Sequence, residues 1–94
     1  MQEQTAESVV RILRGWDVAA HVARVGAYRF GVRVVLGRDT EAIWDTDGAA
    51  GLEAQVLRNG VLVGYVPVIP GSEQDLSDEQ VAELIGRADY SAAG

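Results

Sequence analysis

The chain has 94 residues, enough for one domain and one hydrophobic core and too few for a second. It contains no cysteine, which excludes a disulfide framework, a thiolate nucleophile and a thiolate metal site, and suits a reducing cytoplasm. The net charge of −6 is divided unevenly: residues 1–38 hold six arginines against three acids, whereas residues 39–94 hold two arginines against eleven.

The opening Met-Gln-Glu-Gln has no basic stretch leading into an apolar run, so no signal peptide is expected and residues 1–4 are read as loose. Residues 5–14 have helical periodicity. Val9, Ile12, Leu13 and Trp16 fall on one stripe, Thr5 is a suitable cap, and Gly15 is a natural stop. Residues 17–25 fit a strand or a helix; the strand is chosen, with Gly26-Ala27 turning into the next run. Residues 28–36 alternate clearly. Tyr28, Phe30, Val32, Val34 and Leu36 form one row, and Arg29 and Arg33 stand in the other. A turn at 37–40 leads to a short strand, 41–45, containing Ile43 and Trp44, and the loop 47–51 holds two glycines.

Asn59-Gly60 marks a two-residue hairpin between 52–58 and 61–69, because both positions of a type I′ turn need positive φ. Counting outward from that turn sets Val56 opposite Val63 and Ala54 opposite Tyr65. After a polar connector, Ser77-Asp-Glu-Gln80 is a capping box, with Leu76 and Val81 as its staple. A helix follows to about Asp89, and residues 91–94 are read as a loose tail. The fold class is α+β: a small antiparallel meander of four to five strands, flanked by an N-terminal and a C-terminal helix on one face. The expected core row is Phe30, Val32, Val34, Val56, Val63 and Tyr65.

Chemical motifs are sparse. Asp45-Thr-Asp47-Gly48 resembles the start of a calcium loop, but the position that should carry its last carboxylate is Ala54, so no metal is expected. His21 is the one histidine and is read as structural. Glu41, Asp45, Asp47 and Glu53 are read as solvated acids at one sheet end. Pro67-Val-Ile-Pro70 is a bare Pro-x-x-Pro and is read as a strand end. No phosphate-loop or dinucleotide spacing occurs, and no cofactor is expected. Arg24, Arg29 and Arg33 form a candidate patch for an anionic partner. Overall acidity argues against nucleic acid. Apolar runs fall short of a membrane span.

The strand 61–69 is apolar in both rows, unlike 28–36 with its arginines. Its second row, Leu62, Val66 and Val68 widened by Leu57, is therefore expected to be covered, by a second copy of the chain or, if 17–25 is helical, by that segment. These features lead to a cytoplasmic, non-enzymatic interaction module that forms a homodimer or binds another protein. The alternative is a small-molecule-binding protein or minor enzyme, with a pocket between the first helix and the sheet lined by Trp16, Tyr28, Trp44 and Tyr65. A third reading, an acidic mimic of nucleic acid, needs the C-terminal acids on one face, and their spread disfavours it.

Overall fold

The computed structural model describes residues 1–27, 29–46, 52–69, 77–88 and 90, with the backbone alone at 46, 52 and 67–69. Among these, helix α1 (Glu3–Gly15) precedes strands β1 (Ala20–Gly26), β2 (Arg29–Val35), β3 (Thr40–Thr46), β4 (Leu52–Arg58) and β5 (Val61–Ile69), and helix α2 (Asp78–Arg87) ends the order. The strands form one antiparallel sheet in sequence order, and both helices lie on one of its faces, here called inner. The ambiguous segment 17–25 is mostly strand, as expected.

Helix α1 buries Ala6, Val9, Val10 and Leu13 at helical spacing. It starts earlier than expected. Gln2, not Thr5, is the N-cap, and no side chain caps it. Among residues 1–4, Met1 is buried: its ammonium donates to Phe30 O (3.0 Å) and Asp45 Oδ1 (3.2 Å), and its carbonyl accepts from Phe30 N–H, while Gln2, Glu3 and Gln4 are exposed. The helix also ends later than Gly15 suggests. Asp17 (φ 62°) takes the left-handed position that reverses the chain, a conformation Asp tolerates better than most residues. Trp16 is the C-cap, outside the helical conformation, and is half exposed.

Two inner rows cross the sheet, Val22–Val32–Trp44–Ala54–Val66 and Ala20–Val34–Ala42–Val56–Gly64. Trp44 is completely buried, and residues across the rows are small where it is large, as dense packing requires. Val9 and Leu13 of α1 and Val81 and Ile85 of α2 complete the core, and Gly86 lies against Leu13. Each such side chain contributes about 1.5–3 kcal/mol on burial.

The hairpin turn is as expected, with Asn59 at φ 53° and Gly60 at φ 78°. Its register is not. Leu57 pairs with Leu62, but Val56 pairs with Gly64, so Val63 is a bulge and everything beyond it shifts by one. A second irregularity lies between Leu52 and Ala54, and β5 spends nine residues against seven on β4. The expected core row is corrected accordingly: Val63 and Tyr65 are exposed, at 40% and 56%, and Val66 is buried instead. The physical reason is volume. Without the bulge, Tyr65 would stand beside Ala54 in the row that Trp44 already fills; with it, Val66 does.

Helix α2 begins with the expected capping box. Ser77 Oγ accepts from Gln80 N–H (3.2 Å), and Gln80 Oε1 accepts from Ser77 N–H (2.8 Å). The helix ends at Arg87, with Ala88 extended as its C-cap, two residues short of the expected Asp89. The Leu76 staple, the 47–51 loop, the 70–76 connector and the 91–94 tail lie outside the described residues. Beyond α2, Tyr90 clips the chain to the sheet: Trp44 Nε1–H donates to its hydroxyl (2.9 Å), which donates to Ile85 O (2.8 Å), and the two rings meet edge to face. Burial pushes the Tyr90 pKa above its ordinary 10.0, while the Trp44 hydrogen bond acts in the other direction.

Candidate functional site

Because strand side chains alternate, the residues one step out of phase with the core form the outer face. The central outer row is His21–Arg33–Ile43–Gln55–Tyr65, and beside it runs Val35–Glu41–Leu57–Leu62. Asp45 and Glu53 pair in the next row along. Neither helix lies on this face. Its charges are sorted by strand: Arg29 and Arg33 stand on β2, Glu41 and Asp45 on β3, and Glu53 on β4. Arg29 Nη2 donates to Asp45 Oδ2 at 2.6 Å, and Arg33 Nε donates to Glu41 Oε2. Exposed pairs of this kind contribute about 0–1 kcal/mol each. Their effect is to hold the long arginines flat across β2 and β3, so that apolar surface lies open on β4 and β5. A depression of about 330 Å³ between Arg29, Ile43, Asp45, Glu53 and Gln55 marks the charged end.

The structure redistributes the expected interface. Leu57 and Leu62 are paired across the hairpin on the outer side, as expected, and Leu62 is 44% exposed. Val66 belongs to the core and leaves the stripe, for the register reason given above. Tyr65 takes its place on the outer face, opposite Gln55. The side chain of Val68 lies outside the described ones. Ile43 and Val35 join the outer surface; the alternation of Ile43 with the buried Ala42 and Trp44 is the signal that reveals Ile43 in sequence.

The arginine patch does not assemble. Val25 is extra in a bulge between Arg24 and Gly26, so Arg24 pairs with Phe30 and Arg29 with Gly26. That puts Arg24 in the inner-face row, at the sheet edge, whereas Arg29 and Arg33 stand on the outer face in ion pairs. The aromatic pocket is also corrected. Trp44 is in the packed core, Trp16 is exposed at the end of α1, and Tyr65 is on the opposite face of the sheet; Tyr28 lies outside the described residues. Trp16, Trp44 and Tyr65 therefore line no common cavity. His21 lies at the sheet edge, with Nδ1 accepting from Arg14 Nη2 (3.0 Å). Asp45, first acid of the calcium-like motif, instead holds Arg29 and the Met1 ammonium, and Asp47 and Gly48 lie outside the described residues. Among the described residues no three His, Asp or Glu side chains gather as metal ligands, and no helix is long and apolar enough to cross a membrane.

Comparison with protein-family models, curated proteins and solved structures finds no match to the chain. The residues of the outer face thus carry the functional argument.

Proposed function

We propose that this chain is a cytoplasmic, non-enzymatic interaction module that pairs with a second copy of itself through the outer face of its sheet. The observation that supports this reading is the open surface of Val35, Ile43, Leu57, Leu62 and Tyr65, bordered by arginines on β2 and by acids on β3 and β4. A two-fold axis through β3 lays β2 of one protomer over β4 of the other. Arg29 and Arg33 then meet the Glu53 region of the partner, while apolar residues of β4 and β5 are withdrawn from water. The charge order along the strands is therefore complementary to itself, which is what an isologous interface needs. Location in the cytoplasm accords with the cysteine-free composition.

Five strands of about seven residues, ~4.8 Å apart, offer roughly 500 Å² per partner. The total lies at the small end of specific interfaces, so micromolar rather than nanomolar affinity is expected. Light scattering or sedimentation over a concentration series tests the proposal. A dimer that Leu62→Lys converts to a folded monomer supports it; a monomer at about 100 μM, some tenfold or more above such a dissociation constant, sinks it.

A further inference from the structure

The two edges of the sheet differ. Strand β5 is broken by a bulge at Val63 and a second irregularity nearer Ile69, and bulges of this kind blunt an edge against added strands. Strand β1 is regular from Ala20 to Arg24, with its single bulge at Val25. Val35 N–H donates to Ala19 O. In an antiparallel ladder hydrogen-bonded pairs alternate, so the backbone N–H and C=O groups of Ala20, Val22 and Arg24 point away from β2, toward the open edge. One of them is already engaged. Arg14 Nε donates to Ala20 O at 2.8 Å, and its Nη2 donates to His21 Nδ1. The guanidinium is thereby fixed at the end of the edge, with its remaining N–H donors free to take a carboxylate.

Along this edge α1 and β1 leave a groove of about 530 Å³, lined by Glu7, Val10, Arg11, Arg14, His21 and Val22. Its floor is apolar, from Val10 and Val22. Its wall is cationic, because Arg11 and Arg14 are one turn apart on the same helix face. Arg29, Arg33 and Arg87 each have a carboxylate partner, whereas among the described residues no ion pair reaches Arg11, Arg14 or Arg24. Glu7 supplies the groove's own acid, one turn before Arg11 and two turns from Arg14.

We propose that the β1 edge takes an extended acidic peptide segment of a partner protein as an added strand. Its backbone pairs with Val22 and Arg24. A side chain of the peptide on the inner side rests on Val10 and Val22, and the next one on that side, two residues along, is a carboxylate received by Arg14 and Arg11. The peptide chemistry this selects is an apolar residue and an acid separated by one position. Main-chain pairing supplies affinity and the alternate side chains supply selectivity. This surface shares only His21 with the outer face and does not depend on dimerisation.

The probe is a short blocked peptide in which threonine alternates with valine and glutamate, titrated into the full chain while backbone amides are followed by NMR. Saturable shifts at Val22, Arg24 and the Arg11–Arg14 turn are expected. Replacing the peptide's glutamate by glutamine weakens binding about tenfold, the loss expected when one charge-assisted hydrogen bond becomes neutral. Arg14→Gln has the same effect, as does Arg11→Gln, which leaves the Ala20 contact intact. Methylating the peptide nitrogens that face β1 abolishes binding without touching the fold of the protein. Leu62→Lys leaves binding unchanged, so failure of this site and failure of the dimer are distinguishable. Binding that survives backbone methylation, equal binding of glutarate alone, shifts centred on β5, or no saturation at millimolar peptide each overturn the proposal.

Discussion

On the inner face of the sheet the row Val22–Val32–Trp44–Ala54–Val66 runs from edge to edge beneath two helices. One residue out of phase, His21–Arg33–Ile43–Gln55–Tyr65 crosses the same strands in the open. The inner row is matched by volume, with one indole offset by alanine and valine. The outer row is matched by charge and reach, with Arg33 laid onto Glu41 of the neighbouring row. Adjacent positions on the same strands should therefore respond very differently to substitution: inner positions should set stability, and outer positions, on the proposed function, association.

The sharpest break in that contrast is Trp44→Ala. It removes the largest buried side chain of the described core and leaves the Tyr90 hydroxyl without its donor. A loss of about 3–5 kcal/mol is expected in urea melts. Domains of this kind have roughly 5–15 kcal/mol in all, so the variant should be close to unfolding. A loss under 1 kcal/mol would mean the inner row is not the organising layer.

Gly31→Ala tests the one outer position where the contrast should fail. A Cβ there would overlap the Trp44 carbonyl oxygen, so β2 and β3 must separate to admit it. The cost is expected at about 3 kcal/mol, large for a single methyl group, because backbone has to move. A neutral substitution would show that the two strands are farther apart at this point.

How far these layers can be read from sequence depends on whether a strand's two rows differ in polarity. In β2 they do, since Arg29 and Arg33 label the outer row, and the face assignment from alternation holds. In β5 both rows are apolar, so periodicity cannot say which faces the core. The Asn59-Gly60 turn fixes only the first two pairs, and the bulge at Val63 then reverses the faces. That bulge is set by the space that Trp44 occupies two strands away, which no local pattern records. The misplacement of Arg24 has the same origin, a bulge at Val25 that turn chemistry alone does not reveal. The helices were more legible. The 3.6-residue period of α1 and the capping box of α2 are local signals, although α1 stops at Gly15 and Trp16, beyond it, is half exposed. The groove at the β1 edge was invisible, because Arg14 and His21 meet only once α1 folds back along the strand.

Tyr90→Phe sharpens the description of the inner layer. It leaves the buried Trp44 N–H without its acceptor, and about 1–2 kcal/mol should be lost near neutral pH. The same residue gives a pH dependence with a definite sign. Its folded-state pKa is raised above 10.0 by burial, so as pH climbs past 10 the unfolded chain releases this proton first. Stability contributed by the neutral phenol is complete below that pH and falls as pH rises toward the folded pKa. The alkaline decline in melts should be shallower in Tyr90→Phe than in the parent chain; an equal slope would exclude Tyr90 as its source.

Ser77→Ala addresses the start of α2 rather than the sheet. Removing the hydroxyl that accepts from Gln80 N–H should cost about 1 kcal/mol and leave the fold unchanged. No change in the denaturation midpoint would place the effective helix start elsewhere.

The smallest expected effect on stability carries the most functional information. Leu62 is on the outer side of β5, paired with Leu57 and 44% exposed. Lysine there keeps an aliphatic stem along the same surface and places its charge in water, so the monomer should change by no more than about 0.5 kcal/mol. In the proposed face-to-face dimer the same charge is buried against the partner's β1, which carries no acid, and an unpaired buried ion costs several kcal/mol. The two measurements must therefore separate: a melting curve of the dilute protein that barely moves, and a dissociation constant that rises by about a hundredfold or more. Val66→Lys gives the opposite result, since Val66 is in the core, and it should unfold the chain whatever its oligomeric state. If both variants destabilise the dilute monomer equally, the bulged register of β5 is wrong. If both leave association unchanged while the chain stays folded, the outer face is not the interface.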